Sequence, residues 1–284
     1  MALELDTRQR AMLQEMGVHV WLPETGVVVL APAEAPPPAP PPVVRQPLSP
    51  LLAASAPTST PIALGVQVAP IAASLDWTAL SDSVRNCQAC GLCAGRSHAS
   101  FLAPAEGQLP CDWMVVGDAP DEDEDRAGAP FAGPDGMLLA HMLRALGLQR
   151  ANPMAPKTPA AALALQSASA AQRAYVTNVL KCRPAHGVVP QAAELAQCAA
   201  YLQREIALVR PKMILAMGRF ANQVLLAETP ALAAQPLGKL RGSVHSYQGT
   251  PVVVSYHPKL LMRNGADKAK AWADLCLAAA TLET

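Results

Sequence analysis

Four short runs of almost unbroken apolar residues constrain the fold most: 113–117 (WMVVG), 174–180 (AYVTNVL), 212–218 (KMILAMG) and 251–256 (PVVVSY). A strand with one face in water alternates apolar and polar residues, whereas a continuous run belongs to a strand buried on both faces. Strands of that kind need helices on either side, and helical patterns stand between the runs. Leu138, Leu139, Met142, Leu143 and Leu146 make one apolar helical face after the first run. Leu195, Cys198, Leu202, Ile206 and Val209 make another after the second. Strand and helix in alternation imply one α/β domain with a parallel sheet covered on both sides.

The N-terminal quarter has a different composition. Residues 31–76 hold 12 of the 28 prolines, separated mainly by Ala, Ser and Thr, a mixture of polyproline II and flexible coil that builds no core. The expected organisation is a helix or arm at 1–30, a linker at 31–76 and a domain at 77–284. An Ala/Pro-rich surface insertion is expected at 151–172. The longest uncharged stretch, 46–75, has the length of a membrane span but carries five prolines, which a spanning helix does not tolerate. The chain begins with acidic rather than cationic residues, so no export leader is read. The expectation is a cytoplasmic, bacterial, nucleoid-associated protein, monomeric and without a membrane partner.

The zero net charge is a sum of unlike parts. Six of the 22 acids lie between Asp118 and Asp125, and residues 1–76 hold three basic and six acidic residues, so 19 basic residues face 10 acidic ones elsewhere. The domain outside the acidic run is therefore basic, as a protein attracted to phosphates would be.

Seven cysteines without an export leader point to a reducing compartment, where regular spacing marks ligands more often than disulfides. Cys87 and Cys90 form a C-x2-C pair, Cys182 follows the second apolar run, and Cys198 lies on the apolar face of the next helix. Four such thiolates complete a metal shell, for zinc or for an iron–sulfur cluster alike. Cys93 is a spare ligand, while Cys111 and Cys276 read as small buried hydrophobes.

These segments, CQACGLCAGR, VVGDAPDEDEDRAGAPFAGPDGMLL, YVTNVLKCRP, the later Cys198, RPKMILAMGRFA, LRG and SYHPKLLMRN, resemble in colinear order the family 4 uracil-DNA glycosylases, over about residues 80–276. The resemblance implies a three-layer α/β/α sandwich around a four-stranded parallel sheet. It further implies a [4Fe-4S] cluster on Cys87, Cys90, Cys182 and Cys198, mainly structural, and uracil-containing DNA as substrate. It places Asp118 among the catalytic residues, Gly117, Ala119 and Asp121 around the base, and Arg241 of the LRG motif on DNA.

The residue chemistry agrees. An enzyme acting on a base takes it out of the duplex and reads its Watson–Crick edge while stacking on its face. Phe131, one of three phenylalanines, sits in a glycine-flanked turn suited to a stacking ring. Asn178 interrupts an apolar strand near its C-terminal end, where open α/β sheets place ligands, and its amide offers uracil a donor and an acceptor. His257 follows the last apolar run. A donor there stabilises the charge that develops on uracil O2 as the glycosidic bond breaks. Leu260, Leu261 and Met262 are candidates to enter the space of the flipped base, and Arg263 to hold a phosphate.

Two departures stand out. Where the family reads GEAPG or GEGPG, this chain reads GDAPD, so Asp118 replaces a glutamate and Asp121 the closing glycine. A carboxylate at 121, beside C5 of the base, is expected to oppose departure of an anionic uracil, and Asp121→Gly to speed excision; the alternative is that the carboxylate orients the attacking water, in which case Asp121→Gly lowers activity. The neighbouring pair Glu124 and Asp125 reads as structural. Finally, RQRAMLQEMGVHVW resembles the N-terminal segment of the psi subunit of the bacterial DNA polymerase III clamp loader. That implies a replication or clamp-loader partner for residues 7–21. The competing reading is then a weakly active or inactive module tethered to the replication machinery.

Overall fold

The computed structural model describes residues 74–105, 107–152 and 169–283. The expected N-terminal helix, the linker up to residue 73, the partner-binding segment 7–21 and most of the 151–172 insertion lie outside these residues. The first described helix, α1 (Trp77–Arg85), starts where Asp76 accepts a hydrogen bond from Ala79 N–H at 2.8 Å, the usual way an aspartate satisfies a free helical donor.

The remaining elements follow in the expected rhythm. They are β1 (Trp113–Gly117), α2 (Glu122–Ala127), α3 (Pro134–Ala145), β2 (Gln149–Arg150), β3 (Arg173–Asn178), α4 (Ala192–Val209), β4 (Met213–Met217) and α5 (Arg219–Leu225). After two single-turn helices, α6 (Pro230–Ala233) and α7 (Leu237–Leu240), come β5 (Val244–Tyr247), β6 (Thr250–Ser255), α8 (Pro258–Arg263) and α9 (Lys268–Glu283).

The sheet order is β2-β3-β1-β4-β6-β5. Its four central strands are the four apolar runs and all are parallel. The expected four-stranded sheet is corrected to six strands. β2 is two polar residues paired parallel with β3, and β5 runs antiparallel to β6. Neither edge strand carries an apolar run: β5 has one buried residue, Tyr247, because an edge strand meets the core on little of its surface.

Alternate residues of each central strand face opposite layers. Met114, Val116, Tyr175, Ile214, Ala216, Val252 and Val254 pack with α4 and α5. Trp113, Val115, Val176, Leu215, Met217 and Val253 pack with α3 and α9. This is the expected three-layer α/β/α sandwich. Leu80 and Val84 of α1 form a third cluster with Phe101, laying the cysteine-bearing segment beside α4. Among the described residues no helix is long and apolar enough to cross a membrane.

Candidate active site and cysteine cluster

β1 lies between β3 and β4, so the chain leaves its C-terminal end toward both sides of the sheet, the place where open α/β sheets form a crevice. The candidate residues gather there. Gly117 ends β1 opposite Asn178, which ends β3. A Cβ on Gly117 would lie 2.5 Å from both Asn178 Oδ1 and the Phe131 ring, so glycine is what lets the amide and the ring meet.

Phe131 holds a left-handed backbone, φ 53°, an outlier for a bulky residue that must be held by its surroundings. Its N–H donates to Glu124 Oε1, Arg150 Nη2 donates to Pro130 O at 2.8 Å, and a Cβ on Gly136 would lie 1.8 Å from Phe131 O. The ring stacks on the His257 imidazole with centroids 5.0 Å apart and planes at 15°.

Glu124 was missed as a site residue. Besides Phe131 N–H, its Oε1 accepts from Asn178 Nδ2 at 2.8 Å, and its Oε2 accepts from Asp121 N–H at 2.8 Å. The carboxylate therefore fixes which way the Asn178 amide points. Asn178 Oδ1 is left buried without a partner, an acceptor of the kind that a ligand satisfies. Burial raises Glu124 from its ordinary 4.5 to about 7, opposed by these donors. The signal was present in the sequence: Asp121-x-x-Glu124 is a capping-box pattern, and the structure shows that box at the start of α2.

His257 is the N-cap of α8, and its Nδ1 accepts from Lys259 N–H at 3.2 Å. A backbone N–H can only donate, so Nδ1 is unprotonated and the neutral ring carries its proton on Nε2. Burial, then the Lys259 charge, lower the imidazole to about 4, with Asp121 pulling the other way. At neutral pH the group is an uncharged Nε2–H donor.

Asp118 receives three backbone N–H groups at the start of α5, from Arg219 at 3.0 Å, Phe220 at 2.8 Å and Ala221 at 3.0 Å. Burial raises it to about 6 against those donors, which leaves it ionised at pH 7. Gly218 makes the approach possible, since a Cβ there would lie 2.3 Å from the carboxyl. Asp118, Ala119, His257, Lys259, Leu260 and Arg263 line a cavity of about 230 Å³. Asn178 and Phe131 do not line it; the ring stack joins Phe131 to His257 at its wall.

Three expectations meet different surroundings. Leu261 is fully buried and packs in the core, whereas Leu260 and Met262 beside it are exposed at 43% and 52%. Arg241 donates to Asp274 at 2.7 Å and lies over the Tyr256 ring, which commits it to holding α9 on the sheet rather than to a phosphate. Asp121 is not a free charge: Oδ1 accepts from Asp123 and Glu124 N–H at 3.0 and 3.1 Å, and Oδ2 accepts from Lys259 Nζ at 3.2 Å.

The cysteines come together from three segments. Cys182 is raised by burial first, lowered by Arg96, and raised again by the charges of Cys90 and Cys87. Burial pushes Cys198 up to about 12, with Cys182 and Cys90 adding to the rise. Cys93 lies within reach of Cys90. Cys111 stands apart, donating to Gln108 O at 3.1 Å. Arg96 Nη1 donates to Cys182 Sγ at 3.0 Å, and the Lys181 charge acts on Cys198 in the same sense. Thiols that burial and mutual repulsion keep protonated become ligands when a cationic centre compensates them. Among the described residues no three Cys, His, Asp or Glu side chains gather as closely as one metal ion requires. A four-iron cluster is larger and takes one thiolate per iron, so the donor set of Cys87, Cys90, Cys182 and Cys198 suits it.

Comparison with known proteins agrees with the geometry. The family model described as the uracil DNA glycosylase superfamily matches residues 104–276. The Type-4 uracil-DNA glycosylase of Pyrobaculum aerophilum is 30% identical over 209 residues, 72% of this chain and 93% of that protein. That of Archaeoglobus fulgidus is 30% identical over 64% of this chain and 83% of its own length. That of Thermotoga maritima is 29% identical over 67% and 85%. A sheet with its polar crevice at β1 and β3, a fixed imidazole donor and a match of this extent place the chain in one family: it belongs to the uracil-DNA glycosylase superfamily.

Proposed function

We infer that the protein excises uracil from DNA by hydrolysing the N-glycosidic bond, leaving an abasic site. The observation that carries this reading is the pairing of a neutral His257, its proton on Nε2, with an Asn178 amide whose Oδ1 is open. Asn178 takes the N3–H of uracil on Oδ1 and gives its second Nδ2–H to O4. Cytosine offers N3 as an acceptor instead, so the same amide rejects it. Two rings 5.0 Å apart leave no slot for a third between them.

As the C1′–N1 bond breaks, its electron pair passes to uracil N1 and O2, and His257 Nε2–H stabilises that charge without first being ionised. The sugar becomes cationic. Asp118, an anion at the cavity wall, favours it and accepts the proton of the water that attacks C1′. Gly117 lets the Asn178 amide and the Phe131 ring meet, Ala119 borders the base, Leu260 and Met262 enter the space it leaves, and Arg263 holds a phosphate. Cys87, Cys90, Cys182 and Cys198 hold a [4Fe-4S] cluster, which supplies a cross-link between α1, the β3 loop and α4 rather than a chemical step. The replication partner proposed for residues 7–21 rests on sequence resemblance and is tested by pull-down with and without that segment.

The test is an oligonucleotide with a single uracil. Alkali-labile cleavage at that position alone supports the reading, and intact DNA with enzyme in excess refutes it. Iron analysis tests the cluster separately. Cys182→Ala lowers both iron content and Tm and Cys111→Ala neither; iron retained in full by Cys182→Ala would remove it from the ligand set.

A further inference from the structure

Asp121 and Lys259 are 138 positions apart in sequence, yet they join the two halves of the site. Asp121 caps α2, the helix that carries Glu124 and so orients Asn178 and Phe131. Lys259 is in the first turn of α8, two residues after His257. Its backbone N–H sets the His257 tautomer, while its side chain crosses to Asp121 Oδ2 at 3.2 Å. One residue thus holds the imidazole from below and ties its helix to the opposite wall. The carboxylate is 22% exposed and the ammonium 49%, so solvent weakens the pair, and its effect is one of placement more than of stability.

We propose that Lys259, anchored on Asp121, is a positioning residue for the glycosylase reaction, holding His257 in register with the Glu124–Asn178 wall. The inference rests on the uracil-excising reading of the site. It also explains how a carboxylate is tolerated where the family has glycine: Asp121 is neutralised by a cation on the facing helix and occupied as a cap. Removing it takes away a cap and a tie, so Asp121→Gly slows excision, the opposite of what an unpaired charge beside the base would give.

The charged groups around His257 make the arrangement testable without activity. Lys259 and Asp121 act on it with opposite signs, and Asp118 and Arg263 share the cavity wall. In the full-length protein we compare Lys259→Met, Asp121→Asn, which keeps a capping oxygen, the double variant, and Lys259→Arg. Each single variant should lower kcat on the uracil oligonucleotide by about tenfold with little change in KM, and the double should fall no further. Lys259→Arg should recover most of the loss. The His257 imidazole titration, followed by NMR, should move to higher pH in Lys259→Met, to lower pH in Asp121→Asn, and back toward wild type in the double. An increase in KM alone would make Lys259 an ordinary phosphate contact and overturn the proposal. So would additive losses, or titrations that do not move or move the same way. If wild type excises no uracil, the proposed function fails, and the opposed titration shifts still decide whether Lys259 and Asp121 act on His257 as a pair.

Discussion

Glu124 and Glu205 are both buried carboxylates, 2% and 0% exposed, but their partners differ in charge. Glu205 faces the ammonium of Lys181 in a buried ion pair and accepts from Tyr175 Oη at 3.0 Å. Lys181 also donates to Thr177 Oγ1 and Asn178 O, both at 2.7 Å. Glu124 has only neutral donors: two backbone N–H groups and the Asn178 amide. The first carboxylate completes a closed account of charge and holds β3 to α4. The second makes no ion pair, the Arg150 charge acting on it only from a distance, and it stands where the Asn178 amide is held in one orientation. Paired burial marks scaffold, whereas burial without a direct ion pair marks a place where geometry is maintained at the expense of stability.

The strongest way to break this contrast is to put a second acid beside Glu124. Asn178→Asp replaces the Nδ2 donor with a carboxylate facing Glu124 Oε1, and it turns an acceptor–donor pair into two acceptors against uracil. A site built to hydrogen-bond its ligand loses about four orders of magnitude when the pairing is reversed. Excision of uracil should drop by that much, with the two acids sharing one proton. Undiminished single-turnover excision would remove Asn178 from base reading.

At the scaffold end, Lys181→Met leaves Glu205 charged, buried and facing only a tyrosine. Breaking a buried pair in this way costs about 3–5 kcal/mol, a Tm loss of roughly 10 °C. Replacing Glu205 as well, with leucine, should restore much of it, since the uncompensated charge is then gone. Because Lys181 also supports Asn178 O and lies next to Cys182, iron content should be measured with Tm. Single-mutant stability equal to wild type would show that Glu205 does not depend on its ion pair.

Glu124→Gln probes the uncompensated side through pH. A carboxyl raised in the fold from 4.5 to about 7 is favoured in its protonated form. Its contribution is complete below the unfolded value of 4.5 and disappears as pH climbs through 7, by about 3 kcal/mol at most. Asp118, raised to about 6, acts with the same sign. His257, lowered to about 4, acts with the opposite sign, losing stability as pH falls from 6.5 toward 4. The informative quantity is therefore the difference between variant and wild type: the Glu124→Gln protein should gain relative stability from pH 5 to 8, while kcat falls ten- to a hundredfold or so as the Asn178 amide loses its fixed acceptor. A constant difference in Tm across that range would show that Glu124 is ionised throughout.

The sequence made the four central strands legible because full burial on both faces erases alternation, and it made the C-x2-C pair and the later cysteines stand out because spacing survives without structure. β2 and β5 were not legible: two polar residues, and an edge strand burying only Tyr247, carry no periodic signal. In the site, Asn178, Phe131 and His257 were visible as polar or aromatic residues interrupting an expected pattern. The burial of Leu261 and the pairing of Arg241 with Asp274 were not legible, because a motif fixes neighbours in sequence but not which side of a turn each residue faces. Lys259 was invisible for another reason. Its partner is far away in the chain, and nothing in an isolated lysine shows which acid it will meet.

The acidic run 121–125 states the same difficulty within one helix, and its exposed half gives the smallest expected effect. Glu122 and Asp123 pair with Arg126 at 3.0 and 3.1 Å, with side chains 72%, 47% and 68% exposed respectively, while Glu124 and Asp125 of the same helix are buried. In water such pairs contribute about 0.3–0.5 kcal/mol and salt screens them. Arg126→Ala should therefore shift Tm by no more than about 2 °C, vanish as an effect in high salt, and leave kcat and the pH profile as they are. Asp125 differs although it is adjacent: both its oxygens accept from Ser97 N–H, at 3.0 and 3.1 Å, tying α2 to the segment that follows Cys93 and Arg96. If Arg126→Ala lowered kcat as Glu124→Gln does, the helix would be acting as a single electrostatic unit. Burial would then no longer be what separates its working acid from its solvated ones.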